Sequence, residues 1–191
     1  EAGRILYNHA VNILNMREQA LFTLAKYEGK LEGELAIAAS TVPQRYILPG
    51  LLAAFSREYP GITYAIKQFD SLGVVDAIVS GGMDFGFVGS AASYPELEML
   101  KLCEDRLILI SSCEGKFQKL KGDTVTWDQV RDERFILREE GSATRALFIK
   151  SLEQRGIDVK SISVVASIEN PDTIKQCVRE GLGVAVVSER S

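Results

Sequence analysis

Three features of this 191-residue chain predict an α/β fold. Short apolar runs, among them Leu35–Ala39, Phe85–Val88, Phe135–Leu137 and Val184–Val187, alternate with segments of helical period. Glycines and cap residues separate them, at Gly61, Gly81-Gly82, Gly156, Asn170-Pro171 and Gly181. The pattern recurs in two successive halves, which implies βα units and mostly parallel sheets.

The N-terminal element is a long helix over 3–29, where Leu6, Ile13, Ala20 and Tyr27 recur at heptad spacing. Ala10, Leu24 and Leu31 lie near the complementary line, and Arg17 interrupts it. A helix of this length, placed before the alternating pattern, is expected to pair with another chain; the alternative is packing on its own domain. Strand Leu35–Ala39 leads into helix Val42–Tyr59, with Leu48, Leu51, Leu52 and Phe55 on one face. Pro49 should kink that helix or mark where its regular part begins. Strand Ile62–Phe69 follows, then helix Leu72–Ser80 capped by Ser71, strand Phe85–Val88 and strand Leu107–Ile110. Ser111–Asp123 reads as an extended crossover between two halves. Beyond it come a short helix Trp127–Val130, strand Phe135–Leu137, helix Ala143–Arg155 and strand Ile162–Ile168. Asn170 and Pro171 suit the N-cap and first position of helix Asp172–Glu180, and Val184–Val187 is the last strand.

Composition narrows the function. The chain carries 22 Lys+Arg against 26 Asp+Glu, a net charge of −4, so no basic footprint favours nucleic acid. Charges interrupt every apolar run well short of a membrane span, and the Glu-Ala-Gly-Arg start lacks a signal-peptide h-region. Cys103, Cys113 and Cys177 show no CxxC spacing and fit reduced thiols of a cytoplasmic protein, with Cys177 in the core beside Ile174 and Val178. His9 is the single histidine, and no Ser, Cys or acid is placed to form a triad with it. The acidic residues are scattered rather than grouped for a metal. No catalytic residue, metal or cofactor is assigned. Gly81-Gly82 and Gly181-Leu182-Gly183 follow helices rather than opening them, so they end helices and are not phosphate loops.

Ser40-Thr41 and Gly141-Ser142-Ala143-Thr144 share a chemistry: each ends a buried-type strand in small hydroxyl residues where a helix begins. Backbone N–H groups and hydroxyls in that arrangement suit a small anion. Taken singly, each segment is explained by helix capping. As a pair in two successive halves, they suggest two half-sites that could face each other across a cleft.

The order of phrases along the chain resembles the effector-binding part of LysR-type transcriptional regulators, over nearly its whole length. The phrases are Leu31–Leu35 followed by Ala36–Thr41, Tyr46–Pro49, Phe55–Pro60, Met83–Val88, Arg138–Arg145, Ile174–Val178 and Gly181–Ala185. The resemblance implies two Rossmann-like subdomains of periplasmic-binding-protein type II architecture, preceded by a linker helix that dimerises. It divides the chain into a linker and dimerisation helix (1–32), subdomain I without its C-terminal return segment (33–111) and subdomain II (112–191). On this reading the chain is a fragment, touching DNA only through a winged helix-turn-helix outside it and assembling as a homodimer or tetramer. A small-molecule effector, an anion or small organic acid, is expected between the subdomains. The phrase Ser40–Pro49 is most similar to regulators of sulfur or selenium metabolism.

The candidate effector-binding residues are Ser40, Thr41, Gln68, Gly89, Ser142, Ala143, Thr144 and Asn170. Gln68 ends a strand on the first side, Gly89 offers an N–H that no side chain blocks, and Asn170 is explained equally well as a helix cap. Arg138 and Arg145 bracket the second segment and can neutralise a carboxylate, or else pair with Glu139 and Glu140. If these glutamates point outward an anion is favoured; if inward, a zwitterion or cation. Two rivals share the scaffold: a solute-binding protein of a transport system, which needs an export signal, and an enzyme, which needs a catalytic constellation.

Overall fold

The structure, a computed structural model, describes residues 1–27, 31–89, 94–95, 97–119 and 124–191. Its first helix, α1 (Ala2–Tyr27), follows the predicted span up to the edge of the described residues. Leu6, Ile13 and Leu24 on it are exposed, Leu6 at 70%, so these side chains are not packed on their own domain.

The first lobe is a three-stranded parallel sheet in the order β2-β1-β3, built from β1 (Glu32–Ala39), β2 (Gly61–Gln68) and β3 (Phe85–Phe87). β1 lies in the middle, so its C-terminal half is the most buried part, with Ile37, Ala38 and Ala39 at the core. Leu48 joins Ile37 and Ala39 there, with Leu35, Leu52, Tyr64 and Phe87 around them. The helix expected over 42–59 is divided into α2 (Thr41–Tyr46) and α3 (Leu48–Glu58) at Ile47. Pro49 accounts for the break, because it has no N–H to donate and its ring crowds the carbonyl four residues earlier. Asp70, not Ser71, caps α4 (Ser71–Val79): its carboxylate accepts from the Gly73 N–H at 2.7 Å. A carboxylate one residue earlier, on extended backbone, meets the positive helix end better than the hydroxyl inside the first turn.

The second lobe holds a four-stranded sheet in the order β4-β7-β5-β6. Its strands are β4 (Leu107–Ile110), β5 (Arg134–Leu137), β6 (Ser163–Ser167) and β7 (Val184–Ser188). β5 is parallel to β6 and β7, and β4 runs antiparallel to β7. This corrects the division at 111: β4 was expected in subdomain I, yet it pairs with the second sheet. A short apolar run states that it will be buried but not which sheet edge will take it. The passage between lobes therefore precedes Leu107. Ser111–Asp123 is not an extended crossover either: Gly115–Lys119 forms a 3₁₀ turn, and 120–123 lie outside the described residues.

Side-chain alternation along β5 sends Phe135 and Leu137 to one face and Ile136 to the other. α5 (Trp127–Val130) and α6 (Ala143–Glu153) cover the first face with Val130 and Leu152. α7 (Pro171–Arg179) covers the second with Ile174 and Val178, and Cys177 packs beside them. With helices on both faces, β5 is buried on both sides, which is why its sequence is a continuous apolar run.

Candidate functional site

The C-terminal ends of β1 and β5 point toward each other from the two lobes. At the first, the Ser40 N–H donates to the Phe87 carbonyl at 2.9 Å, which fixes where β1 stops. Ser40 has the extended backbone of an N-cap, but its hydroxyl makes no capping bond to α2. The Thr41 hydroxyl accepts from Gln68 Nε2 at 3.5 Å and from Arg138 Nη2 at 3.3 Å, the second bond crossing from one lobe to the other. At the second end, Ser142 occupies the N-cap position of α6, again with no side-chain capping bond. Ser40, Ser142 and Thr144 are all buried, Ser142 at 5% exposure, although their hydroxyls are not engaged in capping.

The lobes meet closely around these ends. A Cβ built on Gly89 would stand 3.6 Å from the Ala143 Cβ. Gly141 has φ +88°, a left-handed conformation, and a Cβ there would lie 2.1 Å from Asp70 Oδ2. Only glycine allows that turn and that approach together. Ser40, Thr41, Gln68 and Gly89 thus stand on one wall, with Ser142, Ala143 and Thr144 on the other. Asn170 does not join them as a free group: its Oδ1 accepts from the N–H groups of Asp172 at 2.8 Å and Thr173 at 3.4 Å, capping α7.

The charges divide in an unexpected way. Glu139 turns inward, and both its oxygens accept from Arg138, through Nε and Nη2 at 2.8 Å each. Glu140 points out to solvent at 91% exposure, 3.6 Å from Arg145 Nη2. Arg145 also donates from Nη1 to the Arg138 carbonyl at 3.1 Å, and the Ser167 hydroxyl donates to that oxygen at 3.3 Å. Arg138 is 6% exposed, so a buried guanidinium already neutralised by its neighbour borders the first wall's Thr41.

A second bridge joins the lobes: Arg45 on α2 pairs with Asp172 on α7, and Lys175 Nζ lies 2.9 Å from Asp172 Oδ1. The Lys175 hydrogen bond, aided by Arg45, holds the Asp172 carboxyl below its usual range. The same contact with Asp172 raises Lys175, with Tyr46 beside it. Arg45 and Asp172 escape sequence reasoning because they pair across the lobes, 127 positions apart.

Among the described residues no group of three or more His, Cys, Asp or Glu is placed to hold a metal ion, and no helix is long and apolar enough to cross a membrane.

Two α/β lobes with facing strand ends and a polar seam between them define a bilobal ligand-binding domain of the type II periplasmic-binding-like fold. The family model described as the LysR substrate binding domain matches residues 28–191, and the chain belongs to this family. It is 32% identical over 187 residues to an uncharacterized HTH-type transcriptional regulator of Methanocaldococcus jannaschii, covering 98% of this chain and 62% of that protein. It is 26% identical over 188 residues to the transcriptional activator CmpR of Synechocystis, covering 98% of this chain and 60% of that protein. Among solved structures it is similar to the regulatory domain of Synechocystis CcmR in complex with 2-PG, at 25% identity and a TM-score of 0.73, covering 83% of this chain and 74% of that one. The chain spans less than two thirds of the length of these curated relatives.

Proposed function

We propose that this chain is the effector-sensing part of a transcriptional regulator and takes a small anionic metabolite between its lobes. The observation that carries this reading is the set of hydroxyls on the largely buried residues Ser40, Ser142 and Thr144, which stand at helix starts without serving as caps. The first-turn N–H groups of α6 add unpaired donors on the same side, and its dipole favours negative charge. Ser40, Thr41, Gln68, Gly89, Ser142, Ala143 and Thr144 are the contact residues, and Asn170 is withdrawn to its capping role. The named complex of the CcmR regulatory domain with 2-PG supports a small ligand as the class.

Binding acts by population shift: an effector that prefers one arrangement of the lobes changes how often that arrangement occurs. α1, with Leu6 and Ile13 exposed, carries that change to a second copy in a dimer or tetramer, and a DNA-binding domain outside this chain reads it. The protein works in the cytoplasm and performs no catalysis. The regulators among its relatives favour this over a transport-system binding protein.

A thermal-shift screen of sulfate, phosphate, 2-phosphoglycolate and small dicarboxylates against the full chain tests the reading. Ser142→Ala and Thr144→Ala should each weaken the strongest responder about tenfold, the loss of one charge-assisted hydrogen bond. Unchanged affinity in both variants would move the site elsewhere.

A further inference from the structure

We propose that the Glu139 carboxylate is a built-in competitor of the effector: an effector carboxylate or phosphate replaces it on the Arg138 guanidinium. The inference rests on the cleft reading above and adds the chemistry that selects the ligand.

The pair is asymmetric. Arg138 is fixed: its side chain is 6% exposed, its carbonyl is held by Arg145 and Ser167, and its Nη2 reaches across to Thr41. Glu139 is 20% exposed, and Arg138 is its ion-pair partner, through Nε and Nη2. Rotation of Glu139 toward solvent exchanges a hydrogen-bonded carboxylate for a hydrated one. The same exchange leaves a buried guanidinium without a counter-ion, which is strongly unfavourable unless another anion arrives. A neutral ligand cannot supply that charge. A carboxylate or phosphate can, because its oxygens match the two parallel N–H donors of an arginine fork.

Thr41 lies against the same guanidinium from the first lobe, so an anion seated on Arg138 sits where the lobes touch. The remainder of the ligand then faces the Ser142 and Thr144 hydroxyls, which suits a hydroxyl-bearing or phosphorylated small acid. The cleft is thereby selective for anions while remaining electrically neutral in itself.

Glu139→Gln tests this without knowledge of the natural effector. The variant keeps the side chain's size and removes its charge, so inorganic phosphate gains the guanidinium with no rival. Calorimetric titration of the full chain should show phosphate binding about tenfold tighter in Glu139→Gln than in the unsubstituted protein. The melting temperature of the variant should also rise more steeply with phosphate. The double variant Arg138→Gln/Glu139→Gln, which leaves no unpaired buried charge, should lose that gain. Equal phosphate response in Glu139→Gln and the parent overturns the proposal, as does a gain that survives in the double variant. If Ser142→Ala weakens the responders of the screen while Glu139→Gln changes nothing, the cleft site stands and the competitor role fails. If Glu139→Gln gains phosphate and Ser142→Ala alters no ligand, Arg138 binds anions and the wider cleft assignment fails.

Discussion

Four helix starts near the cleft fall into two kinds. α4 and α7 are capped by their own side chains, Asp70 onto the Gly73 N–H and Asn170 onto those of Asp172 and Thr173. α2 and α6 carry Ser40 and Ser142 in the same position with the same extended backbone, and neither hydroxyl caps. Serine is among the preferred caps, so its failure to cap at two facing ends is a matter of orientation and not of residue type. The capped pair contributes stability, whereas the uncapped pair leaves donors for something else.

The largest test of this contrast is Arg138, which ties the two uncapped ends through Thr41. Arg138→Met should lower unfolding free energy by about 3 kcal/mol in urea denaturation, because it removes two charge-assisted hydrogen bonds to Glu139 and the bond to Thr41. A loss below about 1 kcal/mol would rank the pair with surface salt bridges and untie the two ends. Next in size is Gly141→Ala, where an uncapped end abuts the α4 cap. The left-handed φ and the displacement of Asp70 together should cost about 2 kcal/mol. Asp70→Ala in that background should recover part of it, and a melting-temperature comparison of the double with the single variant reads this out.

A third test separates the two kinds directly. Asn170→Ala should remove about 1 kcal/mol of stability and leave anion affinity alone. Ser142→Ala should change stability by less than about 0.5 kcal/mol and weaken the anion. The reverse pattern would erase the distinction. The smallest effect concerns Asp172, whose carboxyl is held below its ordinary value first by the Lys175 hydrogen bond and then by Arg45. A depressed folded-state value stabilises the contact fully above the ordinary carboxylate range near pH 4 and loses it as pH falls through the lowered value. Protection factors at α2 and α7, taken relative to intrinsic exchange at each pH, should therefore fall slightly toward pH 3, and Asp172→Asn should lower them similarly at pH 7.

Much of this arrangement was legible in sequence because it is local. Asn170-Pro171 announces the start of α7, Pro49 locates the restart after Ile47, and the glycines at 81 and 181 end their helices with φ +73° and +77°. The facing hydroxyl segments were found by the same local logic. What sequence could not supply is partnership across distance. Leu107–Ile110 reads as a strand but carries no mark of its antiparallel neighbour. Glu139 and Glu140 are adjacent and chemically alike, yet one turns onto Arg138 and the other into solvent. That choice depends on a buried arginine whose position is set by the sheet, and by Thr41 from 97 positions away.

The strand order of the second lobe has a consequence for how the chain is made. Of the four strands in this sheet, β7 comes last in sequence but is an inner one in space, lying between β4 and β5. While residues 107–183 emerge from the ribosome, their sheet has an open slot, with apolar edges on both sides of it. The pairing of Leu107 with Ser188 closes nearly the whole lobe in one long loop, a contact of the slow, non-local kind. Closure of this sheet waits on β7, and until Val184 arrives the cluster that holds Phe135 and Leu109 lacks one of its buried members.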